Sequence, residues 1–430
     1  MRALYTLLWY LALPWLPLRL WWRGRREPGY LEQVGERFGR HRGTVRQPVI
    51  WVHAVSLGET RAAAPLIERL RHAYPGTTVL LTHMTATGRA AGRALFGDAV
   101  LQAWLPYDLP FAVRGFLGHF RPRVGLILET ELWPNLVARC RAENIPVYLV
   151  NARLSERSAR GYRRVGSLTR SMLGMLAGVA AQAEADAQRL EALGAKSIVV
   201  TGNVKFDLGL SDAAIALGHE MRASCGTARP VWVAGSTRDG EEALILDAMA
   251  RCELPAGLLT VLVPRHPQRF DAVAELLRAR GIAFARRSAK QPVPGDVRVL
   301  LGDSMGEMMG YYAAADVVFI GGSLLPLGGQ NLIEPIAAGA PTIVGPHMFN
   351  FAEATARAQE AGAAVAVSDA EELVRVVGQL LADAARRARM RDAALAFHAA
   401  HRGAADRLWD WLEPRVTAAL DRRGDPAPRP

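Results

Sequence analysis

A chain of 430 residues, half of them hydrophobic, is too long for one ordinary core and can bury two. Three cysteines far apart in sequence exclude a disulfide framework and fit a reducing compartment. The net charge of +11 rests almost wholly on arginine, with Lys196, Lys205 and Lys290 the only lysines. It favours anionic partners, but no basic recognition helix or aromatic platform points to nucleic acid.

The chain opens with MRALYTLLWYLALPWLPLRLWW, which holds four of the ten tryptophans, and five arginines precede the first acidic residue, Glu27. The apolar stretch from Ala3 to Leu18 is short of the roughly 20 residues a span needs. Pro14 and Pro17 would kink it, and arginines follow where a signal peptide would carry a small-residue cleavage site. Residues 1–26 therefore read as a membrane-associated helix. It is either a signal anchor or a helix lying in the interface, with Arg23, Arg25 and Arg26 on the cytoplasmic side.

From residue 27 to about 210, strands alternate with helices. Strands are predicted at 49–55, 78–84, 99–105, 124–130, 146–152, 177–183 and 197–203, with a helix from Glu59 to Tyr74. That is a doubly wound α/β domain. After a linker at 211–230, a second series follows: strands at 231–237, 258–264, 297–303, 316–322 and 341–345. Helices fill 369–420 and a frayed tail ends the chain at 421–430. Two Rossmann-like halves place a ligand cleft between them, at the carboxyl ends of the strands.

The strand ends carry the candidate chemistry. HAVSLGET sets Glu59 at a helix start, either as a complement to the helix dipole or as a general base facing the cleft. ETELWPN brings Glu129 and Glu131 to another strand end, and GNVKFD brings Lys205 to a third. NARLSERSARGY carries Arg153, Arg157 and Arg160, a basic cluster suited to a phosphorylated acceptor. In the second half, VPRHPQRF offers Arg265 directly after a strand as a phosphate clamp. GDSMGEMM offers Met305, Gly306 and Glu307 at a helix start. The stretch from Asp316 to Phe351 reads as a buried strand, a glycine loop and a short helix capped by Asn331, with Glu334 in its first turn. Such a loop approaches a nucleotide closely, although glycines also serve tight packing. No metal-ligand spacing is present.

Taken together, these segments resemble the bacterial 3-deoxy-D-manno-octulosonic acid (Kdo) transferases of lipid A and lipopolysaccharide biosynthesis. The likeness runs from LLWYLALPWLPLRLW through HAVSLGET, ETELWPN, NARLSERS, GNVKFD, AGSTRDGEE and VPRHPQRF to GGSLLPLGGQNLIEP and GPHMFNF. It implies a GT-B glycosyltransferase fold, an α/β pair of Rossmann-like domains facing a cleft. Residues 27–210 would bind the acceptor and 211–420 the CMP-sugar. It implies metal-free inverting transfer from CMP-Kdo to a lipid A precursor (lipid IVA), without a cofactor, at the cytoplasmic side of the inner membrane. Carried over by motif, Glu59 becomes the catalytic base. The transition-state-stabilising acid falls on Glu131, with Glu129 the alternative, and the basic counterpart on Lys205. CMP contacts fall on Pro264, Arg265, Met305, Gly306, Glu307, Asn331, Leu332, Ile333 and Glu334. A UDP-sugar transferase or epimerase on the same scaffold is the alternative enzyme.

Overall fold

The computed structural model describes residues 1–207 and 209–422. The chain forms two compact units: one runs from Met1 to Asp207 and resumes at Gly403, and the other extends to Arg402. Most of the tail expected at 421–430 lies outside the described residues; Asp421 itself ends the last helix.

The first unit is built on a seven-stranded sheet. Its strands are β1 (Val49–His53), β2 (Thr78–His83), β3 (Leu101–Trp104), β4 (Pro122–Leu128), β5 (Val147–Ala152), β6 (Gly178–Ala181) and β7 (Ile198–Val200). Their order is β3-β2-β1-β4-β5-β6-β7, every pairing parallel. β1 and β5 are buried at every position, as strands covered on both faces should be. The order reverses between β1 and β4, the crevice where an open α/β sheet takes its ligand.

The second unit repeats the plan. Its strands are β8 (Val231–Thr237), β9 (Leu259–Pro264), β10 (Phe284–Arg286), β11 (Val299–Leu301), β12 (Val317–Ile320), β13 (Thr342–Val344) and β14 (Ala364–Ala366), in the order β10-β11-β9-β8-β12-β13-β14. The short edge strands β10 and β14 were not predicted; at three residues each they are too brief for a periodic signal.

Two expectations are corrected. The stretch 211–230 is not a plain linker, because Asp212–Cys225 is a helix whose first turn is capped by Ser211 Oγ accepting from Ala214 N at 3.2 Å. The helix Ala404–Asp421, expected in the C-terminal domain, packs on the first unit. Its Leu408, Leu412 and Val416 join the core of Ile50, Val52 and Ile67. It lacks a side-chain cap of its own, and Asp207 supplies one, accepting from Gly403 N at 2.5 Å and Ala405 N at 2.6 Å.

The N-terminal stretch forms two helices, Arg2–Ala12 and Trp15–Arg26, broken at Pro14. Among the described residues no helix is long and apolar enough to cross a membrane. The first helix docks through Thr6, whose hydroxyl donates to Asn135 Oδ1 at 3.1 Å, and through Trp9, whose ring lies 6.3 Å from that of Trp133. Its Leu4, Leu7, Leu8 and Leu11 remain more than half exposed.

Candidate active site

In the first unit the helix Leu57–Ala73 follows β1. Ser56 caps it by accepting from Glu59 N at 3.5 Å and donating back to Glu59 Oε1 at 2.8 Å. Val55 N donates to the other carboxylate oxygen at 2.9 Å. Both oxygens are therefore oriented, on a side chain that is 9% exposed. Burial, and then the charge of Glu129, push the Glu59 carboxyl up to about 7; the Val55 and Ser56 hydrogen bonds and the Lys205 charge pull the other way. A carboxylate poised near neutrality exchanges a proton readily at ordinary pH.

Glu129 follows β4 in the left-handed region, with φ of +57°. A non-glycine residue there costs about 1 kcal/mol or more, and such strain gathers where a side chain must be aimed. The carboxylate accepts from Lys205 Nζ at 2.6 Å, in a pair whose side chains are both more than four-fifths shielded from water. Lys205 rides on the 3-10 turn Val204–Asp207 after β7. That turn is held by Asn151, the penultimate residue of β5, which is buried and also left-handed, with φ of +50°. Asn151 Oδ1 accepts from Val204 N at 3.1 Å, and Asn203 Oδ1 accepts from Lys205 N at 3.0 Å. Two left-handed residues at the ends of adjacent strands thus bring the Lys205 turn and Glu129 together. No composition or periodicity signal marks them in the sequence.

Glu131 lies two residues further on, where burial and the Glu129 charge raise its carboxyl. The charges that act on Glu59 are those of Glu129 and Lys205. The structure thus gathers Glu59, Glu129 and Lys205, and sets Glu131 next to Glu129.

In the second unit the glycine loop after β12 is built over a carboxylate. Glu241, fully buried, accepts from Gly322 N at 2.5 Å, Leu324 N at 3.0 Å and Arg238 N at 2.8 Å. Glu241 was not singled out in the sequence, where it reads as an ordinary first-turn acid. Gly321 is obligatory: a Cβ there would sit 2.5 Å from the Ser236 carbonyl oxygen and the Thr237 Cα.

Arg265 follows β9, its amide donating to Thr237 O at 2.9 Å and its Nε to Gln330 Oε1 at 3.3 Å, which ties the β9 end to the glycine loop. Pro264, Leu332 and Ile333 are buried and serve the core. The helix after the loop is Ile333–Ala337, five residues long, so its dipole is slight. Its cap position is Leu332 rather than Asn331; Asn331 Oδ1 instead accepts from Ile333 N at 3.1 Å and closes the turn before it. Glu334 is half-buried in the first turn. After β11, Met305 is exposed and Gly306 is left-handed. Glu307 is already engaged, accepting from Arg287 Nε at 3.0 Å and Nη2 at 3.2 Å. Among the described residues no three His, Cys, Asp or Glu side chains gather as a metal site.

A family model described as 3-deoxy-D-manno-octulosonic-acid transferase (kdotransferase) matches residues 32–208, and one for glycosyl transferases group 1 matches 284–397. The chain is 48% identical to a 3-deoxy-D-manno-octulosonic acid transferase of Bordetella pertussis, over 96% of this chain and 99% of the relative. It is 37% identical to the protein of the same name from Haemophilus influenzae, over 96% and 98%. Among solved structures, HepE of Anabaena in complex with UDP is similar at a TM-score of 0.57 and 16% identity, over 86% of this chain and 100% of that one. A UDP-GlcNAc 2-epimerase from Neisseria meningitidis is similar at 0.58 and 13%, over 86% and 100%. At such identities these structures speak to the fold, two parallel-sheet α/β domains of the GT-B type.

Proposed function

The chain belongs to the 3-deoxy-D-manno-octulosonic acid (Kdo) transferase family, and we propose that it moves Kdo from CMP-Kdo onto the glucosamine disaccharide of a lipid A precursor. The observation that carries the mechanism is Glu59, held by two hydrogen bonds and poised near neutrality beside the Glu129–Lys205 pair. In this reading Glu59 takes the proton of the acceptor hydroxyl as the oxygen attacks the anomeric carbon from the face opposite the leaving group, so the configuration inverts. The bond from that carbon to the CMP phosphate breaks and the electron pair leaves with CMP. Arg265 offsets the charge that develops on the phosphate. A carboxylate of the ETELWPN loop, Glu129 or Glu131, faces the positive charge that develops on the sugar. The chemistry needs no metal ion and no cofactor beyond the donor substrate.

The acceptor is a lipid, which accounts for the two N-terminal helices. Leu4, Leu7, Leu8, Leu11, Trp15, Trp21 and Trp22 are all about half exposed or more on two helices of 11 and 12 residues. Helices of that length suit the bilayer interface better than a span, with the arginines among the head groups of the cytoplasmic leaflet of the inner membrane.

The test is incubation of the purified protein with lipid IVA and CMP-Kdo generated in situ, in the presence of a chelator, read by mass spectrometry. A product heavier by one or more Kdo units is expected, and its mass gives the number added. No product from folded, CMP-binding protein would overturn the reading in favour of a UDP-sugar enzyme on the same scaffold.

A further inference from the structure

The helix Glu156–Arg164 follows β5 in the first unit, and its arginines divide into two sets. Arg163 is paired with Glu156 at 3.0 Å, and Glu156 is shared with Arg189 at 3.3 Å. Arg157, Arg160 and Arg164 recur at i, i+3 and i+7, so they share one face, and all three are exposed. Among the described residues no carboxylate pairs with any of them. Like charges at this spacing repel, so the stripe opposes the helix that carries it.

The opposite side of this helix places the stripe. Ala159 is buried there, and Tyr162 lies near enough to both Glu131 and Tyr5 for charge on either to raise its hydroxyl or be raised by it. Arg153, between β5 and the helix, accepts at its carbonyl from Thr130 Oγ1 in the loop that carries Glu129 and Glu131. Tyr5 belongs to the N-terminal helix whose outer face is exposed leucine. One rim of the first unit therefore runs from the proposed acid loop, past the arginine stripe, to an apolar helix.

We infer that Arg157, Arg160 and Arg164 receive a phosphate group on the head of the acceptor lipid, while the exposed leucines of Arg2–Ala12 meet its acyl chains. The inference rests on the Kdo-transferase reading and deepens it. A guanidinium fork matches a phosphate oxygen pair, and the anion removes the repulsion along the stripe at the moment of binding. Three cations on a helix packed against the acid loop orient a bound head group relative to Glu59 and Glu129. Arg19, Arg23 and Arg25 of Trp15–Arg26, among exposed tryptophans, are left to the bulk bilayer.

The experiment compares wild type with an Arg157→Gln/Arg160→Gln/Arg164→Gln variant, after matched melting curves. Both are floated, without donor, on phosphatidylcholine vesicles doped with lipid IVA, with its dephosphorylated form, or with phosphatidylglycerol at equal charge. Wild type is expected to prefer the phosphorylated acceptor over phosphatidylglycerol by about tenfold or more, and the variant to lose that preference. In turnover, the variant's KM for lipid IVA rises by a similar factor. A variant that keeps the preference overturns the inference. So does one that loses phosphatidylglycerol binding equally, which would make the stripe a bilayer contact. Wild type that binds lipid IVA but makes no product with CMP-Kdo fails the underlying reading instead.

Discussion

Lys205 Nζ donates to Glu129 Oε1 at 2.6 Å, and this pair sets the charge that Glu59 experiences. Glu129 raises the Glu59 carboxyl and Lys205 lowers it, so removing the lysine frees Glu129 to push harder. A base works only when deprotonated, so Lys205→Met should move the rising limb of the pH profile of kcat/KM to higher pH than in the wild type. Glu129→Gln should move it down. Each unit of upward shift costs about tenfold in rate on the acid side. A limb that stays in place in Lys205→Met would separate the ion pair from the base.

Glu59 itself joins activity to stability with opposite signs. Its folded pKa is raised above the ordinary 4.5, chiefly by burial, so the folded state holds the proton more tightly than the unfolded chain. That contribution is fully present below about pH 4.5 and is lost as pH rises through about 7. Glu59→Gln, neutral at every pH, should therefore lower turnover by about 10²–10⁴-fold while stabilising the fold. The gain should approach 1–3 kcal/mol, roughly, above neutrality and fade towards pH 5. Melting curves at pH 5 and pH 8 check this: an equal change in Tm at both would remove burial of the charged form as the cause.

In the second unit, Glu241→Ala should disable the proposed nucleotide site without touching the nucleotide. The carboxylate accepts from three amides, those of Arg238, Gly322 and Leu324, in a place with no water access. Leaving buried amides unpaired costs about 1–3 kcal/mol each, so a lower Tm is expected. The more specific outcome is loss of the stabilisation expected from CMP, since Glu241 would no longer hold the amides of the glycine loop. A variant that melts lower yet keeps its full CMP-induced shift in Tm would confine Glu241 to folding.

The fold was legible because its signals are local and repeated. Buried strands such as Val317–Ile320 are unbroken apolar runs, and Gly321 follows this one at once. Glu59 was legible as a carboxylate at a helix start, while its reciprocal capping with Ser56 came from the structure. The Glu129–Lys205 pair was not, because it joins positions 76 residues apart through a left-handed turn that any sequence of this composition could lack. Motif resemblance pointed first to Glu131, and only the backbone at Glu129 shows which carboxylate meets the lysine. Long-range packing hid the last helix too: Ala404–Asp421 is helical by local pattern, but its unit is decided by contact with Ile50, Val52 and Ile67.

That returning helix yields the last prediction. Asp207 closes the turn that carries Lys205, and its carboxylate takes the free amides of Gly403 and Ala405 at the helix start. Arg407 adds a second tie, donating from Nε to Thr201 O at 2.9 Å. Loss of such a cap costs about 1–2 kcal/mol, so Asp207→Ala should lower Tm by a few degrees. It should also loosen the Lys205 turn from one side, leaving Asn151 to hold it from the other. The expected signature is a fall in kcat with little change in KM, and a rising limb displaced to higher pH as in Lys205→Met. Asp207→Asn keeps one acceptor and should recover part of both effects. If Asp207→Ala lowers Tm but leaves the pH profile where it was, the helix anchors the fold and has no hold on the charge at Glu59.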